Sequence, residues 1–161
     1  MTNIPFSAEE TLKIAIQIEE NGQEFYEGML EETEDDDINE IFSDLANQEV
    51  KHKKTFQEML GEVEEEEGPD LNSLLYGELE DSYLGALADS KVFTPANRNI
   101  DEAKHVDSRD ELLSIAISLE KDTILYYYEI LQKAKNSDDQ DIIMDVIEEE
   151  KSHVKRLAGL L

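Results

Sequence analysis

Glu49-Val50-Lys51-His52 and, 101 residues further on, Glu150-Lys151-Ser152-His153 are two copies of one Glu-x-x-His pattern, and their setting decides the fold. Residues three apart on an α-helix share a face and are separated by a rise of roughly 4.5 Å. Outward from the first copy, Phe42, Leu45, Phe56 and Met59 continue the same stripe at three- and four-residue spacing. Ile143, Val146, Leu157 and Leu160 do the same around the second. Each copy therefore sits on an otherwise apolar seam, the pattern of a helix with one face in a core.

The same offset relates the helices that precede these two. Leu12, Ala15, Glu19, Gly22, Tyr26 and Met29 form one stripe, and Leu113, Ala116, Glu120, Thr123, Tyr127 and Ile130 form its copy. Ser7 with Glu10, and Ser108 with Glu111, are Ser-x-x-Glu capping boxes at the two starts. Asp37 and Asp138 are suited to N-cap the second helix of each pair. The turns before them are short and polar, so each pair is expected to be an antiparallel hairpin.

These elements predict an all-α four-helix bundle in a single domain over residues 1–161. One helix pair spans about 7–60, a crossover about 61–107, and a second pair about 108–161. Within the crossover, Gly61 reads as a helix stop and Glu64-Glu65-Glu66-Glu67-Gly68-Pro69 as an exposed loop. Leu71, Leu74, Leu75, Leu79 and Leu87 suggest one or two short amphipathic helices ending before Thr94-Pro95. This segment is expected to pack on the outside or end of the bundle.

Composition narrows the chemistry. With no cysteine among 161 residues, disulfides, thiolate metal sites and cysteine nucleophiles are all excluded. A metal would have to be held by carboxylate and imidazole. The formal net charge of −27, from 41 acidic and 14 basic residues, repels nucleic acid and anionic lipid and makes both poor partners. The start of the chain, Met1-Thr2-Asn3-Ile4-Pro5, shows no basic region followed by an apolar run, and no apolar stretch approaches membrane-spanning length. A soluble cytoplasmic protein is the expectation.

Six ionisable residues lie where a packed bundle should be apolar: Glu19, Glu49, His52, Glu120, Glu150 and His153. An unpaired buried carboxylate costs several kcal/mol as an order of magnitude, or is driven to protonate. Two divalent cations would neutralise four carboxylates while the imidazoles stay neutral. Depth allows convergence. Glu19 lies about 13 residues before a first-helix end near Glu32, and Glu49 lies 12 beyond Asp37, so the two stand at similar height in an antiparallel pair. In a chain this acidic, any one of these glutamates could be a surface residue. That does not explain why two of the three histidines stand three residues after a seam glutamate; the third, His105, has no such partner and is assigned to the solvated crossover. Carboxylate and imidazole ligands suit iron, manganese or zinc. Tyr26 and Tyr127 fall seven residues beyond Glu19 and Glu120, where each hydroxyl could donate to a ligand carboxylate or simply fill the core. Phe25, Tyr126 and Tyr128 read as packing residues.

One Glu from each of two helices and Glu-x-x-His from each of the other two is the ligand arrangement of di-iron carboxylate bundles. Glu19-x-x-Gly22-x-x-Phe25-Tyr26, Glu49-x-x-His52 and their second copies resemble the ferritin-like domain of the rubrerythrin family, over nearly the whole chain. The segment Tyr83-Leu84-Gly85-Ala86-Leu87-Ala88-Asp89-Ser90-Lys91-Val92-Phe93 is similar to the crossover of stand-alone members. The resemblance implies two iron ions held by Glu19, Glu49, His52, Glu120, Glu150 and His153, with a homodimer as in relatives.

Two departures qualify what the resemblance implies. Typical rubrerythrins carry a rubredoxin domain with four cysteines, so here electrons would come from a separate donor protein such as a rubredoxin. Some members have a further Glu three residues after the third-helix ligand, where this chain has Thr123. Bacterioferritin shares both Glu-x-x-His pairs and is a competing resemblance; ferritin proper matches less well. The leading expectation is a non-haem di-iron oxidoreductase that reduces hydrogen peroxide or oxygen. A ferroxidase or iron-handling protein, and a metal-binding module without turnover, are the alternatives.

Overall fold

Four long helices and one short one account for nearly all of the described chain. The structure is a computed structural model that describes residues 8–67, 96–106, 108–134 and 136–161. Helices α1 (Ala8–Leu30) and α2 (Asp36–Glu67) form the first pair, and α3 (Ala96–Lys104) is a short helix before the second. That second pair is α4 (Arg109–Lys133) and α5 (Ser137–Ala158). Among the described residues there is no strand.

Both hairpins form as the periodicity predicts. All six members of the α1 stripe and all six of its α4 copy are buried. The α2 and α5 stripes are buried as well, apart from Leu160, which is half-buried beyond the end of α5. Aromatic rings fill the space around the polar layer. Phe25 and Phe42 pack edge-on against Tyr26, with centroids 5.3 and 5.0 Å away, and Phe56 lies tilted 5.2 Å from Tyr127. Tyr126 is buried with its hydroxyl 3.5 Å from the Thr11 carbonyl, and Tyr128 is partly buried beneath Lys151.

Helix starts differ from expectation in position but not in kind. Ser108 caps α4 by accepting from the Glu111 amide at 3.1 Å, as its box predicts; Ser7 lies outside the described residues. The α2 cap is Asp35, not Asp37: its carboxylate accepts from the Ile38 amide at 3.1 Å. Asn136, not Asp138, caps α5, accepting from the Asp139 amide at 2.8 Å. In each case several adjacent polar residues carry a suitable oxygen, and one placed slightly earlier than expected takes the role. Arg109, at the start of α4, reaches both Asp35 and the Leu160 carbonyl, so it ties the α1–α2 turn to the end of the chain.

Gly61 does not stop α2. The helix continues to Glu67, so Glu64 to Glu66 are exposed as expected but helical rather than looped. An interior glycine costs only about 1 kcal/mol relative to alanine, too little to end a helix whose Met59 and Val63 pack on the core. The crossover therefore begins about seven residues later than the sequence suggests. Its leucine-rich stretch, 71–87, and the segment 83–93 lie outside the described residues. Its final helix, α3, does pack on the bundle. Ala103 is buried, and Ile100 sits so close to Gly28 of α1 that a Cβ there would collide with the Ile100 Cδ1.

Candidate metal centre

The six seam residues meet at mid-height. Glu19, Glu120, Glu150 and His153 are fully buried, and Glu49 and His52 nearly so. Two overlapping groups of potential ligand atoms result, each within 4.8 Å of one another: Glu19, Glu49, His52 and Glu150, and Glu49, Glu120, Glu150 and His153. Glu49 and Glu150 belong to both groups. Each group adds one further glutamate and one histidine of its own.

The two imidazoles are stacked, with ring centroids 5.6 Å apart and planes 21° from parallel. Both turn Nδ1 inward. His52 Nδ1 lies 2.9 Å from one Glu150 oxygen and 3.5 Å from Glu19. His153 Nδ1 lies 2.9 Å from the other Glu150 oxygen, 3.3 Å from Glu49 and 3.5 Å from Glu120. Despite these short distances, neither Nδ1 and neither Glu150 oxygen makes a hydrogen bond. Eight buried side-chain atoms among the described residues have no hydrogen-bond partner, and seven belong to this cluster. They are one oxygen each of Glu19, Glu49 and Glu120, both oxygens of Glu150, and Nδ1 of both histidines. Buried polar atoms are nearly always satisfied, so seven orphans converging on one point are what a metal-binding set looks like without its cations. Oxygen and imidazole donors in this number fit a pair of divalent cations.

The protonation pattern carries the same strain. Burial raises Glu49 well above the usual carboxylate range, and the charges of Glu150 and Glu19 raise it further. Burial and Glu150 lift Glu120 to about 7, against the pull of His153. For Glu19 burial acts upward, but Glu49 and His52 bring it below its ordinary value. Burial and the charge of Glu19 likewise act upward on Glu150, and the two histidines outweigh them, leaving it lowered. Burial disfavours imidazolium, yet Glu150 and Glu19 hold His52 up at about 12. Glu120 and Glu150 hold His153 at about 10 in the same way.

The outer contacts reach across the bundle. Tyr26 of α1 donates to Glu120 of α4, and Tyr127 of α4 donates to Glu19 of α1. Each tyrosine thus serves the glutamate of the opposite hairpin rather than the one seven residues before it on its own helix. Burial, followed by Glu120 for Tyr26 and Glu19 for Tyr127, raises both phenols well above their ordinary range, so they stay protonated donors. Thr123 is buried, but its hydroxyl donates to the Leu119 carbonyl at 3.0 Å and adds no group to the cluster. His105 is exposed and belongs to neither group.

Two residues escaped the sequence reading. Glu149 accepts from His52 Nε2 at 2.7 Å, and Gln48 from His153 Nε2 at 2.8 Å. A metal-ligating imidazole usually donates its other N–H to such a group. The signal was available: Gln48 and Glu149 stand at the repeat offset, one residue before each Glu-x-x-His.

A family model described as Rubrerythrin matches residues 10–161. A Thermotoga maritima protein, provisionally described as a ferritin-like diiron-carboxylate protein, has a crystal structure similar to this one. The two share 30% identity with a TM-score of 0.68, over 96% of this chain and 94% of that one. No curated protein matches. The fold is ferritin-like, and no helix among the described residues is long and apolar enough to cross a membrane.

Proposed function

This chain belongs to the rubrerythrin family, and from that premise we propose that it is a non-haem di-iron oxidoreductase that reduces hydrogen peroxide or, failing that, oxygen. The observation that carries the reading is the set of seven buried atoms without a hydrogen bond on four carboxylates and two imidazoles. In this proposal Glu19, Glu49, His52, Glu120, Glu150 and His153 hold two ions. When bound, a ferrous pair supplies two electrons and Lewis acidity toward the oxidant.

The remaining work belongs to the side chains. Glu49 and Glu150 are common to both ligand groups and would contribute to holding both ions; Glu19 with His52, and Glu120 with His153, would each help hold one. Tyr26 and Tyr127 fix Glu120 and Glu19 from behind, so those carboxylates keep their place as charge at the centre changes. Phe25, Phe42 and Phe56, all fully buried, keep water from the layer. Reduction of peroxide to two waters takes up two electrons and two protons. With no cysteine in the chain, the electrons are assigned to a separate donor protein such as a rubredoxin, and the working unit to a homodimer.

Anaerobic addition of one equivalent of hydrogen peroxide to the diferrous protein is the test. Stoichiometric oxidation to an oxo-bridged ferric pair, seen by near-ultraviolet absorption, is expected. A diferrous protein inert to both peroxide and oxygen sinks the oxidoreductase reading. Uptake of many irons per chain into a hollow shell would favour iron storage instead.

A further inference from the structure

Gln48 and Glu149 occupy equivalent places in the repeat, yet they put different groups on the outer nitrogens of the two histidines. His52 meets a carboxylate and His153 meets a neutral amide. The amide's orientation is fixed from outside: Gln48 Nε2 donates to Asp44 Oδ2 at 3.1 Å, and Arg156 holds that same oxygen at 2.5 Å. Its carbonyl oxygen is therefore the atom His153 sees.

Most of the other contacts are matched between the halves. Tyr26 and Tyr127 donate reciprocally, and Glu49 and Glu150 serve both ligand groups. Gly22 and Thr123 differ on the seam, but the Thr123 hydroxyl is spent on its own helix. The outer partners of the histidines differ in charge, and that difference bears directly on the strength of each ring as a ligand.

Resting on the metal pair proposed above, we infer that the two cation positions are unequal: the one bounded by Glu19, Glu49, His52 and Glu150 binds a divalent ion more tightly and fills first. Glu149 is the positioning residue responsible. A carboxylate accepting the outer N–H pushes charge onto the imidazole and strengthens it as a ligand, whereas an amide orients the ring with less donation. Glu149 is more than half exposed, with 56% of its side chain accessible, so water weakens its influence. The expected effect is the lower end of what such partners give, about tenfold in metal affinity.

Titration of the full chain with Co(II) under anaerobic conditions, followed by calorimetry and visible absorption, tests this. Two binding steps are expected. Glu149→Gln should weaken the first step about tenfold and leave the second nearly unchanged. Gln48→Glu should strengthen the second by a similar factor. In the double swap, anomalous scattering from crystals loaded with one equivalent should move to the His153 position. If Glu149→Gln leaves the first step unchanged, or weakens both steps alike, while two ions still bind, the inequivalence is overturned and the metal pair stands. A wild-type chain that takes up fewer than two ions overturns both.

Discussion

Loading the metal-free protein with two equivalents of ferrous ion at pH 7 should expel protons in a number that the cluster itself sets. His52, held at about 12, and His153, held at about 10, are both imidazolium in the metal-free protein and must each lose a proton to become ligands. Glu49, raised well above the carboxylate range, and Glu120, lifted to about 7, add to that release. Glu19 and Glu150 are held low and lose none. The two imidazoles alone release about two protons per pair of ions, and the two raised glutamates bring the total above that. Were the six groups at ordinary values, only a quarter of each imidazole would be charged at pH 7, and release would be about half a proton. Anaerobic calorimetry in buffers of different ionisation enthalpy measures the number directly, as the slope of heat against buffer enthalpy. Release of one proton or fewer would refute the claim that inward-facing charges in the metal-free core are balanced by protons.

Stability gives an independent check. Glu49 and Glu120, raised in the folded state, stabilise it only while protonated, so their contribution fades as pH rises above about 4.5 and, for Glu120, is largely gone past 7. The raised histidines contribute fully below pH 6.5 and lose that contribution as pH climbs through about 10 for His153 and about 12 for His52. The lowered Glu19 and Glu150 act oppositely, but only in acid below about 4.5. The melting temperature of the metal-free form should therefore fall steadily from pH 5 to 9. The metal-loaded form should not follow it, because its ligands are already deprotonated; parallel curves in thermal melts would contradict this. Tyr127→Phe, which strips Glu19 of its buried donor, should destabilise the metal-free protein by about 1.5–3 kcal/mol in urea unfolding. Tyr26→Phe should do the same through Glu120. Gly61→Ala should stabilise the protein by about 0.5–1 kcal/mol, since nothing lies within 4 Å of the new methyl group and the helix runs through it. The same change at Gly28 should gain less or destabilise, because Ile100 must move.

Which parts of this architecture could be read from the sequence follows from which interactions are local. Helix faces are local. Glu19, Glu49, His52 and their copies sit at three- and four-residue intervals among Leu12, Phe42, Phe56 and the rest, and that periodicity alone places them inward. Choices among chemically equal neighbours are not. Asp35, Asp36 and Asp37 could each cap α2, and what distinguishes Asp35 is Arg109, 74 residues away. Gly61 misleads for a related reason, since its weak helix-breaking tendency is judged locally while the helix is held by packing. The tyrosines show a third limit. Spacing puts Tyr26 on the seam of Glu19, but only the antiparallel register of α1 against α4 brings its hydroxyl to Glu120.

Diffraction from crystals of the metal-loaded protein, collected above and below the iron absorption edge, examines the centre without reliance on activity. Two anomalous peaks are predicted between α1, α2, α4 and α5, one beside Glu19 and His52 and the other beside Glu120 and His153, with Glu49 and Glu150 reaching both. A loaded crystal whose ions lie elsewhere, or whose six side chains remain without metal, contradicts the account.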